Sequence, residues 1–328
     1  MKELLEKVLA AYGPSGHEDK VRAVIEGLIR PYVDELRTDA LGNLIARKHG
    51  AGKRIMLAAH MDQIGFIVTD VDKHGFLRVH NVGGIYRRNS LNRRVVFENG
   101  MSGVVSCEVE GDSPTDTTML KLFIDIGAAD RADALSQVAL GDMAVYAPEC
   151  THLMNRCVCA PAMDNRAGCA LLIGALQAVT NCPNEVVAVF TSQEEVGLRG
   201  ARAAAYDVDP DVGIALDVTL VGDTPKGERL PMKIGGGIAI KVMDSSVICA
   251  GEVVAALEAA AEGAGAAHQR EILFGGGTDA GAIHQTRSGV PSGALSIPSR
   301  YVHSACEVIS LDDLEAGVKT LAAFLMRG

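Results

Sequence analysis

Residues 186–195 read VVAVFTSQEE, an apolar run that ends in two adjacent carboxylates, Glu194 and Glu195. A short, Val-rich run of this kind predicts a buried strand of a parallel sheet. In open α/β sheets, ligands bind just outside the carboxyl ends of the strands. The pair is therefore poorly placed for packing and well placed for chemistry, with one carboxylate holding a metal ion and its neighbour acting as a base.

The composition limits the classes of protein to which this chain can belong. Of the 328 residues, 48% are hydrophobic, enough to bury a core in one large domain or two smaller ones. The net charge of −10 and the lack of a basic cluster argue against a nucleic-acid partner. No apolar run is long enough to span a bilayer, and the charged start of the chain does not resemble a signal peptide. We therefore expect a cytoplasmic protein whose eight cysteines are reduced thiols.

The pattern of hydrophobic residues changes twice along the chain. Helical periodicity and short apolar strands alternate up to about residue 67 and again after residue 160. Between them, short β-rich runs are separated by turns such as Asn99-Gly100, a hairpin signal. We expect an α/β fold, a mainly parallel sheet with helices on both faces, formed by residues 1–67 and 161–328. A small all-β, barrel-like domain of residues 68–160 is inserted into it.

Two pairs of residues have the spacing of a capping box. Ser15 and Glu18 precede the second predicted helix, and Ser310 and Asp313 precede the last one. Both serines are therefore predicted to cap helices.

Five segments place a metal-capable side chain at or just after an apolar run. They are His60-Met61-Asp62, Ala162-Met163-Asp164-Asn165, Gln193-Glu194-Glu195, Ala215-Leu216-Asp217 and Arg300-Tyr301-Val302-His303. Singly, each has a structural explanation: a hydrogen-bonded histidine, a helix cap, a turn aspartate or a solvated acidic pair. Four of the five follow predicted strands, so together they are expected to meet at one edge of the sheet. Imidazoles and carboxylates suit Zn²⁺, Mn²⁺ or Co²⁺, and there are enough of them for two ions that share a bridging carboxylate.

The residues around these positions resemble a known family, the tetrahedral metalloaminopeptidases. The matching blocks are 60-HMDQIGF-66, 164-DNRAGC-169, 193-QEEVGLRG-200, 215-ALDVT-219, 276-GGTDA-280 and 298-PSRYVHS-304, preceded by 13-GPSG-16 and 39-DALGN-43. They run in order over nearly the whole chain. Members carry names such as glutamyl aminopeptidase, deblocking aminopeptidase and sometimes endoglucanase. The resemblance implies a zinc-exopeptidase-like fold.

The resemblance also implies roles for the charged residues. His60 would bind one metal ion and His303 the other, and Asp164 would bridge both. Glu195 and Asp217 would complete the two shells, one at each ion. Asp62 would orient His60, a support that metal-binding imidazoles commonly need. Glu194 would be the general base for a water that lies between the ions, which are Zn²⁺ or Co²⁺ by preference and Mn²⁺ as a further choice.

The loop 275-GGGTDAG-281 is glycine-rich and precedes a helical segment. A phosphate-binding loop is disfavoured because no lysine follows in P-loop spacing. The resemblance places Gly277, Thr278 and Asp279 beside the substrate, although Asp279 is equally well explained as a helix cap.

The implied activity is removal of N-terminal residues from short peptides with a free N-terminus. Family members pair subunits through the β-rich insert and assemble twelve of them into a hollow tetrahedron.

The stretch 106–118 lacks the proline-histidine motif expected there, Gln63 stands where many relatives have Glu, and Ala305 replaces a common proline. Two rivals stay open: a deacylase or carboxypeptidase of related fold, and a non-catalytic assembly protein on the same scaffold.

Overall fold

The computed structural model describes residues 1–108 and 118–327 of the chain. The strands are β1 (Glu35–Thr38), β2 (Leu44–Lys48), β3 (Arg54–His60), β4 (Gly65–Val71), β5 (Leu77–Val82), β6 (Arg94–Phe97), β7 (Ser102–Cys107), β8 (Leu122–Asp125), β9 (Met143–Tyr146), β10 (Thr151–His152), β11 (Cys157–Ala160), β12 (Glu185–Thr191), β13 (Val212–Leu220), β14 (Ile238–Met243), β15 (His268–Ile272), β16 (Ser292–Arg300) and β17 (Glu307–Ser310). The α-helices are α1 (Lys2–Leu9), α2 (Asp19–Ile29), α3 (Arg87–Ser90), α4 (Arg131–Leu135), α5 (Met163–Ala178), α6 (Arg199–Val208), α7 (Gly251–Gly263), α8 (Ala280–Ile283) and α9 (Leu311–Leu325).

The large sheet has the strand order β1-β2-β12-β3-β13-β16-β17-β11-β10, and β14 pairs with both β15 and β16. Its centre, β12-β3-β13-β16, is parallel. The flanking pairs are antiparallel, among them β2 with β12 and β16 with β17. The sheet is therefore mixed, and the prediction of a parallel sheet describes its centre, which is the part that carries the candidate site.

Helices cover both faces of the sheet, which confirms the predicted α/β architecture. On β3, Ile55, Leu57 and Ala59 pack into the larger core, which also takes residues from α1, α2, α5, α7 and α9. The intervening Met56 and Ala58 point the other way and pack against residues of α6 and α8. A strand buried on both faces needs apolar residues at every position, which explains the continuous apolar run.

The β-rich region forms a closed barrel with the strand order β4-β5-β8-β7-β6-β9. Alternate residues fill its interior, such as Phe66 and Val68 on β4 and Val95 and Phe97 on β6. Strand β11 pairs with β17 of the large sheet and β10 pairs with β11, so both extend the large sheet and not the barrel. The barrel strands thus run from Gly65 to Tyr146, short of residue 160.

No helix among residues 1–108 and 118–327 is long and apolar enough to cross a membrane. Most of the stretch 106–118, which lacks the expected proline-histidine motif, lies outside the described residues.

The two capping predictions have opposite outcomes. Ser310 caps α9, since its side chain accepts a hydrogen bond from the Asp312 amide. The prediction for Ser15 is wrong, because α2 begins at Asp19 and the Ser15 hydroxyl donates to the Asp62 carboxylate at 2.6 Å instead. The hydroxyl donates to a charged acceptor here, and such a bond is stronger than the neutral bond that it would accept as a helix cap.

Candidate metal centre and active site

Parallel pairing brings the predicted residues to one edge of the sheet. His60 is the last residue of β3 and lies opposite Thr191, the last residue of β12, after which Glu194 and Glu195 follow. Asp217 lies within β13, which continues three residues beyond it, so the expectation that Asp217 follows the end of its strand is wrong. His303 follows β16 by three residues, and Asp164 lies in the first turn of α5.

One half of the cluster surrounds His60. Its Nε2 lies 3.0 Å from Asp164 Oδ1, 3.6 Å from Asp217 Oδ1 and 3.8 Å from Glu194 Oε2. Its ring is almost fully buried. A single imidazole nitrogen thus faces three carboxylates.

The other half surrounds His303. Its Nε2 lies 3.3 Å from Asp164 Oδ2 and 3.3 Å from Glu195 Oε2. Asp164 therefore turns one carboxylate oxygen towards each histidine. The two halves meet at this residue.

The electrostatics of the cluster favour bound positive charge. Burial opposes the charged form of His303, but Asp164 and Glu195 raise its pKa to about 12. The pKa of His60 is likewise raised well above its usual value, against burial, by Glu194, Asp164 and Asp217. Burial and the neighbouring carboxylates raise the pKa of Glu194 well above its usual range.

The residues present fit divalent cations. Among the described residues, two groups place their ligand atoms within 4.8 Å of one another at this edge: His60, Asp164 and Glu195, and His60, Glu194 and Asp217. Glu195 Oε1 is buried and has no hydrogen-bond partner in the described part of the chain. An unpartnered buried carboxylate oxygen is costly, and a bound cation would remove that cost.

Asp62 lies behind the cluster and links its parts. Its Oδ1 accepts a hydrogen bond from the Glu194 amide at 3.0 Å and lies 3.4 Å from His60 Nδ1. Its Oδ2 accepts from the Ser15 hydroxyl and from the Glu195 amide at 3.3 Å. Burial alone would raise the pKa of Asp62, but these bonds hold it below its usual range. Asp62 thereby positions both His60 and the two glutamates.

Close packing fixes Asp164 and His303. Asn165, next to Asp164, donates from Nδ2 to the Leu216 carbonyl at 2.7 Å and tethers the start of α5 to β13. A Cβ on Gly84 would lie 2.7 Å from His303 Nδ1, closer than real contacts allow, so only glycine fits beside this ring.

Glu307 is a site residue that the sequence reasoning missed. Its buried carboxylate accepts from the Asp164 amide at 2.9 Å and from the His303 amide at 2.7 Å, joining two candidate ligands from different segments. Burial and repulsion from Asp164 raise its pKa to about 8. No motif marks it; the signal in the sequence is an acidic residue directly before the apolar pair Val308 and Ile309 of β17.

The cluster opens into a cavity of about 440 Å³. Its lining includes Gly275, Gly276 and Gly277 of the glycine-rich loop. Thr278 and Asp279 are buried. Asp279 precedes α8 without capping it through its side chain, and its Oδ2 instead accepts from the Thr191 hydroxyl at 2.5 Å. Burial raises its pKa to about 7.

Comparison with known proteins places the chain in a family. A family model described as M42 glutamyl aminopeptidase matches residues 42–320. A putative aminopeptidase of Acetivibrio thermocellus is 47% identical over 321 residues, which cover 98% of this chain and 97% of the relative.

Two solved structures agree over the whole chain. An aminopeptidase from the archaeon Desulfurococcus kamchatkensis superimposes with a TM-score of 0.96 at 34% identity, covering 99% of this chain and 94% of its own. The TET1 peptidase of Pyrococcus horikoshii, which assembles into a tetrahedron or a large octahedral shell, gives a TM-score of 0.90 at 33% identity, covering 100% and 99% of the two chains. The chain belongs to the M42 family of glutamyl aminopeptidases and is a peptidase of that family.

Proposed function

We propose that the protein is a dinuclear metal-dependent aminopeptidase that removes N-terminal residues from short peptides. The observation that carries this proposal is the shared carboxylate of Asp164, with one oxygen facing each of two histidines that stand on different segments. A bridging carboxylate between two sets of ligands is the arrangement that dinuclear peptidase sites use.

His60, Asp164 and Asp217 would hold one ion, and Asp164, Glu195 and His303 the other. Imidazole and carboxylate ligands suit Zn²⁺ or Co²⁺, and also Mn²⁺. When bound, the ions supply Lewis-acid polarisation of the peptide carbonyl and an acidified water.

Glu194 is proposed as the general base. Its carboxylate reaches the cluster without being needed by either set of ligands, and it lines the cavity. It takes a proton from the attacking water and passes it to the leaving amine when the C–N bond breaks. Burial raises the pKa of Glu194, and a carboxylate of low pKa would accept the proton poorly.

The substrate is a peptide with a free N-terminus. Four carboxylates converge beside the cavity, against two imidazoles. The free α-amine of the substrate would bind one of the ions or a nearby carboxylate, which would explain why hydrolysis starts at the N-terminus.

Self-association through the barrel strands, Gly65–Tyr146, is the proposed quaternary arrangement, and the large sheet with its helices is the proposed catalytic domain. The solved PhTET1-12s structure, a dodecamer, supports assembly of this chain into a dodecamer, with dimers formed through the barrel as its proposed units. The free thiols of the eight cysteines support a reducing, cytoplasmic compartment.

The test is a panel of aminoacyl and N-acylated aminoacyl fluorogenic substrates, assayed with Zn²⁺, Co²⁺ or Mn²⁺ and again after chelation. The proposal expects hydrolysis of the free-amine substrates only, loss on chelation and recovery when metal returns. Cleavage of blocked substrates alone would establish the deacylase reading instead. No cleavage of either class by the metal-loaded protein would point to a non-catalytic assembly protein.

A further inference from the structure

A second group of metal-capable side chains lies away from the catalytic cluster. Among the residues that the structure describes, one ligand atom each of Glu6, Cys150 and His152 lies within 4.8 Å of the other two. Glu6 is on α1, and its Oε1 lies 2.8 Å from His152 Nε2, across 146 residues of sequence. Folding thus brings a thiol, an imidazole and a carboxylate together from the start of the chain and from the edge of the large sheet.

The strand register explains why Cys150 and His152 point the same way. His152 is on β10, the last strand in the order of the large sheet, and Cys150 directly precedes this strand. Residues two apart on a strand share a face. Val158 of β11 pairs with His152 and belongs to the same core as Leu5 of α1, and Cys150 packs against that core. The face that carries the thiol and the imidazole is therefore the face turned towards α1.

The spacing of the three ligand atoms fits a tetrahedral ion. Ligand atoms around Zn²⁺, at bond lengths of about 2.0–2.3 Å, lie about 3.3–3.8 Å apart. Atoms within 4.8 Å of one another need to shift by only about an ångström to reach this arrangement. The side chains of His152 and Glu6 are 41% and 37% exposed, so the ion and a water molecule as fourth ligand can reach the group from solvent.

The charges of the group balance a divalent ion. A Cys150 thiolate and the Glu6 carboxylate together carry two negative charges, and the opposing charge is Lys2, one helical turn before Glu6. Burial raises the pKa of the Cys150 thiol, Glu6 adds to the rise and Lys2 counteracts it. The thiol therefore holds its proton in the free protein. Binding replaces the S–H bond by a Zn–S bond and releases the proton to solvent.

A sulfur ligand sets this group apart from the catalytic cluster, whose candidate ligands offer only nitrogen and oxygen. Thiolate favours Zn²⁺ over the harder Mn²⁺. The thiol nearest the catalytic cluster, Cys169, is buried and donates to the His60 carbonyl at 3.2 Å, and burial raises its pKa to about 12. A sulfur–metal signal therefore reports on Cys150 and not on the catalytic centre.

We propose that Glu6, Cys150 and His152 form a structural site for a Zn²⁺ ion that clamps α1 to the edge strand β10. Both elements need such support, because α1 is the first helix of the chain and β10 has only two residues. The site is open to solvent, so its ion exchanges more readily than those of the catalytic centre. Dialysed protein keeps the two catalytic ions and takes up the third only on titration. The inference does not depend on the proposed peptidase activity.

The test is a titration of the metal-stripped full-length protein with Co²⁺, a spectroscopic substitute for Zn²⁺. A thiolate ligand gives cobalt a sulfur-to-metal charge-transfer band in the near ultraviolet, which nitrogen and oxygen ligands do not give. We expect this band in the wild type, at an intensity of one thiolate per chain, and its loss when Zn²⁺ displaces the cobalt. Absence of the band at saturating Co²⁺ would overturn the proposal.

Variants identify the ligands. Cys150→Ser should abolish the band and release about one proton fewer per chain on Zn²⁺ binding. His152→Ala, at an exposed residue, should weaken binding of the third ion at least about tenfold, since even residues that only support a ligand contribute that much. Cys306→Ser, at an exposed cysteine, is the matched control and should keep the wild-type band. A band of unchanged intensity in Cys150→Ser would overturn the assignment, and His152→Ala still decides if Cys150→Ser does not fold.

Amide hydrogen exchange tests the clamp itself. With the catalytic centre filled, additional Zn²⁺ should slow exchange of the α1 amides in the wild type and leave it unchanged in Cys150→Ser. Binding of the third ion through Cys150 without slower exchange in α1 would refute the structural role.

Discussion

Asp62→Asn tests how the cluster is held together. Each Asp62 oxygen serves two groups: Oδ1 the Glu194 amide and His60 Nδ1, and Oδ2 the Ser15 hydroxyl and the Glu195 amide. Asparagine keeps one oxygen and turns an NH₂ group towards the donors at the other. Two interactions with a charged acceptor are lost, each of about 1.5–3 kcal/mol.

If both interactions are absent from the transition state, the activation free energy rises by about 3–6 kcal/mol. A loss of 1.4 kcal/mol is a factor of ten in rate, so kcat/KM should fall by about 10²–10⁴. Affinity for the ion held by His60 should fall about 10–100-fold, as for other carboxylates that support metal-bound histidines.

The assay is steady-state hydrolysis of the best aminoacyl substrate, combined with metal titration monitored by calorimetry. Ser15→Ala removes one of the four contacts and should give a smaller loss of about tenfold. Asp70→Asn changes an exposed aspartate and should leave both quantities unchanged. Wild-type turnover and metal affinity in Asp62→Asn would refute the positioning role.

Two further substitutions test the packing around the site. Gly84→Ala should displace His303, because the new Cβ would lie 2.7 Å from its Nδ1; metal analysis should show about one bound ion fewer, whereas Gly251→Ala, whose Cβ meets no atom within 4 Å, should keep full metal content. Full metal content and activity in Gly84→Ala would count against the assigned ligand. Arg166→Met should lower the free energy of unfolding by more than about 3 kcal/mol in urea titrations, because its buried guanidinium donates to four backbone carbonyls and to Gln63. A shift of less than about 1 kcal/mol would show that those carbonyls find other donors.

Local sequence was sufficient for the strands that carry the site. The apolar runs that end at His60 and Thr191 predict β3 and β12, because a strand covered on both faces has to be apolar throughout. Parallel pairing then predicts that residues after these strands meet. The same reasoning is wrong for Asp217, because this polar residue lies inside β13 and not at its end.

Contacts between distant segments were not accessible to the same reasoning. Ser15 has the local spacing of a helix cap, yet its hydroxyl bonds Asp62, 47 residues away. Glu307 lies 143 residues from Asp164, yet its carboxylate joins Asp164 to His303, and no motif in the neighbouring sequence marks it. Such residues become visible only when the topology has brought their partners together.

Glu194→Gln tests the central claim most directly, because it removes the proposed base and keeps its shape. The account predicts two bound metal ions per chain, as in the wild type, and kcat lower by about 10²–10⁴, the usual contribution of a general base. Glu228→Gln, at an exposed position, is the matched control and should retain full turnover. Turnover within a few-fold of wild type in metal-replete Glu194→Gln, or loss of a metal ion from it, would contradict the assignment of Glu194 as base beside the ligand Glu195.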